Sequence, residues 1–308
     1  MESLPYNDYG QWIRQQMGMR MQKLPVNASF NCPNRDGRLS AWGCTFCDNS
    51  SFTPSYCQPH DSITQQLETG KKFFSRKYPT TGYLAYFQSF SNTYADIDTL
   101  RSRYEEALAV EDIRGLVIST RPDCLTACCL DYLESLNQQT FLTVEIGIES
   151  MNDNTLKSLN RQHDTACVRH AVEALSNRGI ITCGHVILGL PQESEEEMLR
   201  QASLVSKLPL QILKIHQLQV LRGTAMAKEW ENGHIHVLST PEAYLTLLAQ
   251  YICRLRSDLI LERFFSSSPL RQVIAPKWGI RPDTLNKRLQ ELMRENGWRQ
   301  GMEYDQSH

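Results

Sequence analysis

Three cysteines lie close together near the start of the chain, in a stretch rich in proline, glycine and asparagine. They are Cys32, Cys44 and Cys47, and the sequence around them is NCPNRDGRLSAWGCTFC. A structural zinc site takes four protein ligands, and an iron–sulfur cube that is bound only by protein takes four cysteines. A cube held by three cysteines leaves one iron open to a small molecule. The chemistry of this loop therefore depends on whether a fourth ligand exists.

A zinc site is one interpretation of the loop. Cys57 would then be the fourth ligand, in the order Cys32, Cys44, Cys47, Cys57. Pairs of cysteines separated by two residues are common in zinc knuckles. Spacing by itself does not separate zinc from iron, so the rest of the chain has to decide.

Length and composition are those of an ordinary globular protein. The chain has 308 residues, of which 41% are hydrophobic and 21% are charged, and its net charge is −2. This size suits one large α/β domain with an appendage, or two smaller domains. Because the overall charge is close to zero, any contact with nucleic acid has to come from a local basic patch.

The ten cysteines are diluted over the whole chain, and no apolar signal segment follows Met1. No uninterrupted run approaches the ~20 apolar residues that a membrane span needs. We therefore expect a reducing, cytoplasmic location and no membrane association.

Segments with strand and helix periodicity alternate along the chain. Leu24, Val26, Ala28 and Phe30 alternate at period two, which predicts a strand leading into the cysteine loop. Further strands are predicted at residues 83–89, 114–120, 142–148, 181–188 and 211–220, and helices at 62–75, 97–109, 129–137, 165–178, from a capping box at Ser194, at 241–255 and at 284–296.

Six strands joined by helices predict a parallel sheet with right-handed connections. They fit an open doubly wound sheet or a partial barrel, and periodicity does not choose between the two. In a barrel, the reactive groups belong at the C-terminal ends of the strands.

The cysteine loop, with Phe46 just before its last cysteine, resembles the signature of radical S-adenosylmethionine (SAM) enzymes. Eleven residues separate the first two cysteines. This long gap resembles the branch that contains the catalytic subunit of Elongator. Within that branch, KLPVNASFNCPNRDG and GCTFCDN are most similar to the bacterial YhcC-like group.

The resemblance implies one [4Fe–4S] cluster on Cys32, Cys44 and Cys47, with SAM chelating the open iron. One electron from an external donor, such as flavodoxin or ferredoxin, then splits SAM into methionine and a 5′-deoxyadenosyl radical. The resemblance also implies an α/β fold: a partial (β/α)6 TIM-type barrel of parallel strands with a small, mainly helical C-terminal extension. We place an N-terminal extension at residues 1–22, the barrel at 23–239, and a substrate- or RNA-contacting extension at 240–308.

Contacts to SAM are expected at several strand ends. Gln88 and Asn92 follow the second strand, and their amides can bond the methionine or ribose end of SAM. The resemblance implies that Glu149 accepts the ribose hydroxyls and that Arg161 offers a cation to the SAM carboxylate. The alternatives are loop capping by the amides and a solvated surface arginine.

Phe46, Leu188 and Gly189 complete the predicted cofactor contacts. Residues 185–191, HVILGLP, are similar to the G-x-I-x-G stretch whose backbone meets the adenine. A flat base can approach the backbone where no side chain intervenes. The alternative is that this glycine only makes a turn after the strand.

Arg121, Asp123 and Cys124 follow the third predicted strand and combine a guanidinium, a carboxylate and a thiol. We expect them on the substrate side of the site. The alternative is an Arg–Asp pair that closes the mouth of the barrel beside a buried, inert thiol. The order of these groups at successive strand ends favours radical SAM chemistry over a zinc site.

The C-terminal segment is basic. Residues 254–299 contain ten Lys or Arg against five Asp or Glu. With Trp278 and Trp298 as stacking surfaces, this segment can bind RNA. A solvated helical cap over the barrel is the alternative.

The Elongator resemblance points to transfer RNA as the partner and to modification of a wobble uridine. We therefore expect a radical SAM enzyme that abstracts hydrogen during tRNA modification. Two alternatives stay open: radical chemistry on a small metabolite, and a non-catalytic, zinc-containing nucleic-acid-binding protein.

Overall fold

The computed structural model describes residues 3–51, 53–75, 82–266 and 268–305. The strands are β1 (Met21–Val26), β2 (Gly82–Phe87), β3 (Ile113–Thr120), β4 (Phe141–Glu149), β5 (Ile181–Leu188), β6 (Ile212–Gln217), β7 (Val220–Leu221), β8 (Ile260–Arg263) and β9 (Val273–Ala275). The helices are α1 (Tyr9–Met17), α2 (Ile63–Ser75), α3 (Ile97–Leu108), α4 (Ala127–Asn137), α5 (Asp153–Ser158), α6 (Thr165–Ser176), α7 (Glu195–Ser206), α8 (Ala225–Glu231), α9 (Pro241–Arg254) and α10 (Pro282–Glu295).

Seven parallel strands form one sheet in the order β1-β2-β3-β4-β5-β6-β8. Strands that follow one another along the chain are neighbours, and helices connect them. β7 and β9 form a separate antiparallel pair. The predicted α/β partial barrel of parallel strands is confirmed, with one strand more than the six expected.

Periodicity missed two strands. One is the three-residue β9, outside the main sheet. The other is β8, which lies beyond residue 240. It has only four residues, so an alternating pattern cannot develop, and α9 is the crossover helix that leads to it. β1 also differs from expectation, because it ends at Val26 rather than near Phe30. Ser29, with φ at +58°, interrupts the extended backbone, although Ala28 and Phe30 stay buried.

The N-terminal segment covers the free edge of β8. The Leu261 amide donates to the carbonyl of Asn7 (2.8 Å), and the Asn7 amide donates to Gln300 Oε1 (2.9 Å). Gln300 Nε2 in turn donates to the carbonyl of Leu259 (2.7 Å). The two ends of the chain therefore meet at the last strand and satisfy backbone groups that an edge strand leaves unpaired.

A buried ionic cluster lies inside the curled sheet, and it consists of Lys23 (β1), Glu145 (β4), Lys214 (β6) and Glu262 (β8). Lys23 Nζ is 3.0 Å from Glu145 Oε1 and 2.6 Å from Glu262 Oε1. Lys214 Nζ also bonds Glu145 Oε1 and lies 3.4 Å from Glu262 Oε1. In a flat sheet with strands about 4.8 Å apart, β1 and β8 would be about 29 Å apart. The direct contact between their side chains therefore shows that the sheet is strongly curled.

The cluster is electrically balanced, with two ammonium and two carboxylate groups. The side chains of Glu145 and Lys214 are 0% and 1% exposed, respectively. Burial acts to raise the pKa of the Glu145 carboxyl, but Lys214 and Lys23 outweigh it and hold that pKa well below its usual range. Tyr86 and Ser119 each donate a hydroxyl to Glu145 Oε2 at 2.8 Å. The carboxylate is thus fully bonded in a place where an unpaired charge would be very costly.

Across the described residues, none of the helices combines the length and the apolar composition that crossing a bilayer requires.

We predict that Lys214→Met lowers the free energy of unfolding by about 3–5 kcal/mol, because two buried carboxylates are left with one ammonium group. Urea denaturation of the apoprotein, followed by circular dichroism, measures this. The double variant Lys214→Met/Glu262→Gln restores neutrality, and its free energy of unfolding should fall by less than that of the single variant. Lys228→Met, on the exposed face of α8, should change stability by no more than about 0.5 kcal/mol. An equal loss in the single and double variants would contradict the charge-balance explanation.

Candidate active site

The three predicted cysteines lie in the loop that leaves β1, and none of them forms a disulfide. The loop is folded by its own backbone: the amide of Cys47 donates to the carbonyl of Cys44 at 3.1 Å. The amide of Thr45 donates to the carbonyl of Leu159 at 3.0 Å and so attaches the loop to the end of α5. These backbone hydrogen bonds hold the cysteine loop in its conformation.

Nitrogen donors surround the thiols. Asn34 Nδ2 and Arg161 Nη1 each lie 3.4 Å from Cys44 Sγ, and Arg35 Nη2 donates to the carbonyl of Cys47 at 2.6 Å. Burial and the neighbouring Cys44 raise the pKa of the Cys47 thiol to about 11. A bound metal would be needed to keep that sulfur deprotonated near neutral pH, and the nearby N–H donors would stabilise the thiolates.

The arrangement does not favour a zinc site. Four tetrahedral thiolates at 2.3 Å from zinc lie about 3.8 Å from one another. Within the part of the chain that the structure describes, the one group of three potential ligands within 4.8 Å of each other is Glu145, Cys183 and His185, not the loop cysteines. Cys57 is buried and donates its thiol to the carbonyl of Pro25 at 3.0 Å. The three loop sulfurs do not all lie within 4.8 Å of one another, as zinc ligands would, whereas in a cube each cysteine binds a different iron.

A cavity of about 650 Å³ opens at the C-terminal ends of the strands, and Cys47 lines it. This volume is within the range of about 300–1,000 Å³ typical of sites for small molecules. Six predicted site residues meet in its lining: Phe46, Cys47, Gln88, Arg121, Glu149 and Arg161.

Glu149 and Arg161 form the best-defined pair in the cavity. A bulge after Gly147 and a positive φ of +65° at Glu149 turn the end of β4, so that Glu149 Oε1 lies 3.5 Å from Arg161 Nη2. Arg161 Nη2 also donates to the carbonyl of Gly147 at 2.7 Å. A Cβ at position 147 would come within 2.8 Å of Glu149 Oε1 and 2.9 Å of Arg161 Nη2, so a side chain there would displace this pair.

Comparison with known proteins agrees with this geometry. Residues 30–205 match the sequence profile of the Radical SAM superfamily, which is more than half of the chain. The chain belongs to the radical SAM superfamily. Residues 210–294 match the Radical_SAM C-terminal domain. It is a radical SAM enzyme, and its cofactors are a [4Fe–4S] cluster and SAM.

The curated relatives include proteins of the predicted branch. YtqA of Bacillus subtilis is 35% identical over 275 residues, covering 89% of this chain and 85% of that protein. YhcC of Escherichia coli is 34% identical over 273 residues, covering 88% and 87%. Elongator complex protein 3 of Schizosaccharomyces pombe is 27% identical over 142 residues, which is 45% of this chain but only 25% of that protein. The predicted resemblance to the Elongator-like branch and the YhcC-like group is confirmed.

Among solved structures, the archaeal Elp3 of Methanocaldococcus infernus, with an N-terminal deletion, matches with a TM-score of 0.69 at 15% identity. The match covers 91% of this chain and 64% of the archaeal one, so this radical SAM chain spans about two thirds of that protein's length. At this identity the likeness concerns the fold.

Of the predicted substrate-side residues, only Arg121 lines the cavity. Its Nε and Nη2 donate to the two carboxylate oxygens of Asp123, both at 2.8 Å, and Nη2 also donates to the carbonyl of Arg161 at 2.6 Å. Burial and Asp123 raise the pKa of the Cys124 thiol to about 12. Arg121 and Asp123 therefore form an ion pair beside the buried thiol of Cys124.

Three predicted cofactor contacts lie outside the cavity lining. Asn92 is buried, and its amide bonds the carbonyls of Phe87 (2.9 Å) and Ser119 (2.8 Å), which ties the ends of β2 and β3 together. Leu188 and Gly189 line a separate, small pocket next to Trp278. Gly189 has φ at +91°, and its amide contacts Met198 Sδ at 3.2 Å.

Histidines at the floor of the cavity were not predicted as site residues. His185 Nε2 lies 3.0 Å from Glu145 Oε2, and the rings of His185 and His216 are 5.2 Å apart. Both histidines line the cavity. The sequence contained a signal for these histidines. Lys214 and His216 are two residues apart on one predicted strand and so share a face, and His185 lies on the predicted strand before it.

We predict that replacing any one of Cys32, Cys44 and Cys47 by Ala abolishes cluster binding, because each thiolate holds a separate iron. Anaerobically reconstituted wild type should contain about four irons per chain, and each variant close to none. Cys57→Ala is the matched control and should keep its iron. Loss of iron in Cys57→Ala would instead indicate a four-cysteine site.

Proposed function

We propose that this radical SAM enzyme modifies transfer RNA, at a substituent of the wobble uridine. Cys32, Cys44 and Cys47 would hold the cluster. When bound, the cluster supplies the electron that cleaves SAM into methionine and a 5′-deoxyadenosyl radical. The radical would take a hydrogen atom from a carbon of the nucleoside, so that 5′-deoxyadenosine and a substrate radical are formed.

The observation that carries this proposal is the lining of the cavity, which combines residues of the cysteine loop with residues of the C-terminal segment. Phe46 and Cys47 line it from the loop, and Arg263 and Arg271 line it from the C-terminal segment. A substrate group held by the C-terminal segment would therefore lie next to SAM. That proximity is what hydrogen abstraction requires.

Within this cavity, Glu149 would bind the ribose of SAM. Its carboxylate is oriented by Arg161, and a carboxylate can accept hydrogen bonds from two adjacent hydroxyls. Gln88 and Phe46 would contact the rest of SAM from the end of β2 and from the loop.

The likeness to Elongator complex protein 3 supports RNA as the substrate. Trp42 adds a physical reason: it is 88% exposed on the cysteine loop, and an exposed aromatic ring can stack on an unpaired base. The tryptophans expected to stack on RNA have other roles. Trp278 and Trp298 are half-buried and pack against the core, and Trp278 Nε1 donates to the carbonyl of Ser239 at 3.0 Å.

Several cations of the C-terminal segment are also engaged within the protein. Arg254 pairs with Glu303 at 2.9 Å, and Arg256 Nη1 donates to the carbonyls of Ser206 and Leu208. We therefore propose that the RNA contact lies at the mouth of the cavity, where Arg263 and Arg271 are, rather than at Arg254 and Arg256.

A small metabolite is the second candidate substrate. It is favoured by the volume of about 650 Å³, which accommodates SAM and one further small group. Either reaction needs a one-electron donor, for which we propose flavodoxin or ferredoxin in the cytoplasm.

We predict that Glu149→Ala weakens SAM binding at least about tenfold, which corresponds to about 1.4 kcal/mol. The reason is the loss of the acceptor for the ribose hydroxyls. Calorimetric titration of SAM into the reconstituted protein measures it, with iron content determined in the same sample. Glu173→Ala on α6 is the control, with unchanged affinity. Wild-type affinity in Glu149→Ala would remove this residue from the ribose role.

The tRNA proposal predicts that bulk tRNA from cells without this protein differs in at least one modified nucleoside from tRNA of cells with it. Nucleoside digestion and mass spectrometry make the comparison. Complementation with wild type should restore that nucleoside, and complementation with Cys44→Ala should not. Identical nucleoside profiles would reject tRNA as the substrate and favour the metabolite.

A further inference from the structure

Two arginines of the C-terminal segment line the cavity. Arg263 is half-buried on β8, and Arg271 is exposed shortly before β9. Both line the cavity, together with Ser266 and Ser268. These four residues belong to the C-terminal segment and not to the elements expected to contact SAM.

The other charged groups of the cavity are paired within the protein. Arg121 is bound by Asp123, and Arg161 lies beside Glu149. The carboxylate of Glu145 is neutralised by the lysines of the buried ionic cluster.

Arg263 and Arg271 differ from these groups. In the portion of the chain for which coordinates are described, neither makes a salt bridge or a side-chain hydrogen bond. The cavity therefore has an excess of two positive charges on one side.

SAM does not account for this excess. Its sulfonium and ammonium groups outnumber its single carboxylate, so SAM itself carries one net positive charge. Two uncompensated arginines repel such a ligand rather than attract it. Their charge is complementary to a second, anionic ligand in the same cavity.

His216 provides an independent sign of a missing ligand. Its Nε2 atom is buried and has no hydrogen-bond partner among the described residues, and its ring lines the cavity. Arg263 on β8 is in register with Lys214 on β6, and His216 lies two residues beyond Lys214 on that strand. Burial, then His185 and Arg263, hold the pKa of His216 well below its usual range, so the ring is neutral and can donate one N–H.

We propose that Arg263, Arg271 and His216 bind a phosphate group of the substrate. Two arginines match the charge of a phosphate dianion, and each guanidinium can donate two parallel hydrogen bonds to phosphate oxygens. The inference rests on the proposed function in that the cavity also holds SAM, and it adds that the substrate is phosphorylated. In tRNA, this group would be a phosphodiester next to the modified nucleoside, which carries one negative charge and offers two free oxygens to the guanidinium groups.

The experiment uses the SAM-loaded holoenzyme, with uridine 5′-monophosphate, uridine and succinate as probes in calorimetric titrations. We expect the monophosphate to bind at least about tenfold more tightly than uridine, since charged hydrogen bonds are lost with the phosphate. Arg263→Gln and Arg271→Gln should each weaken binding of the monophosphate about tenfold while leaving uridine unchanged. Arg263→Lys should lose less affinity for the monophosphate than Arg263→Gln, because the positive charge is kept.

Lys287→Gln is the matched control, since it removes a positive charge from the exposed face of α10, outside the cavity. It should leave the affinity for the monophosphate unchanged. Iron content and SAM affinity, measured in every preparation, give the fraction of folded holoenzyme to which each titration is normalised.

Three results would overturn the inference: equal affinity for the monophosphate and uridine, a phosphate preference that survives both arginine substitutions, or binding of succinate without binding of the monophosphate. The tRNA comparison is independent of these. Arginine-dependent phosphate binding with unchanged tRNA nucleosides supports a phosphorylated metabolite and rejects tRNA. An altered tRNA nucleoside without any phosphate preference supports tRNA and rejects the role of the arginines.

Discussion

The contact between Lys23 and Glu262 joins the first and last strands of the seven-stranded sheet, and the rest of the site depends on it. The two atoms are 2.6 Å apart, although five strands separate β1 from β8. Lys214 and Glu145 complete a neutral cluster in which each charge has a partner of opposite sign. Charges buried in this way have to be balanced, and the curled sheet is the geometry that brings all four together.

The curl also creates the cavity. Glu145 belongs to the ionic cluster but also lines the cavity, where it contacts His185. The neutral cluster is thus the floor, and the strand ends above it form the walls. Because the charges of the ionic cluster balance one another, the electrostatic field inside the cavity is set by the other charged residues that line it.

Arg161 connects this cavity to the cysteine loop. Its guanidinium reaches Cys44 Sγ, the carbonyl of Gly147 and the carboxylate of Glu149, and its own carbonyl accepts from Arg121. A single buried side chain therefore sets the position of the proposed cluster ligands relative to the proposed ribose acceptor. Displacement of this guanidinium would disturb both sites at once.

The sequence by itself determined six strands of the main sheet, seven of the helices, the family and the loop of three cysteines. These are local properties: periodicity over eight to twelve residues and the spacing of ligands along one loop. It did not reveal β8, because four residues are too few for an alternating pattern, and Arg263 was therefore not assigned to the site. It also could not show that Asn92 ties two strands together, or that the two C-terminal tryptophans pack inward.

Only the tertiary structure decided which side chains share the cavity. Lys23, Glu145, Lys214 and Glu262 are spread over some 240 positions of the chain, and nothing local marks them as partners. The same holds for the uncompensated charge of Arg263 and Arg271, since a charge is known to lack a partner only after every neighbour has been placed. Pairing across distant strands depends on the curl of the whole sheet, and curl is a property of packing rather than of any one segment.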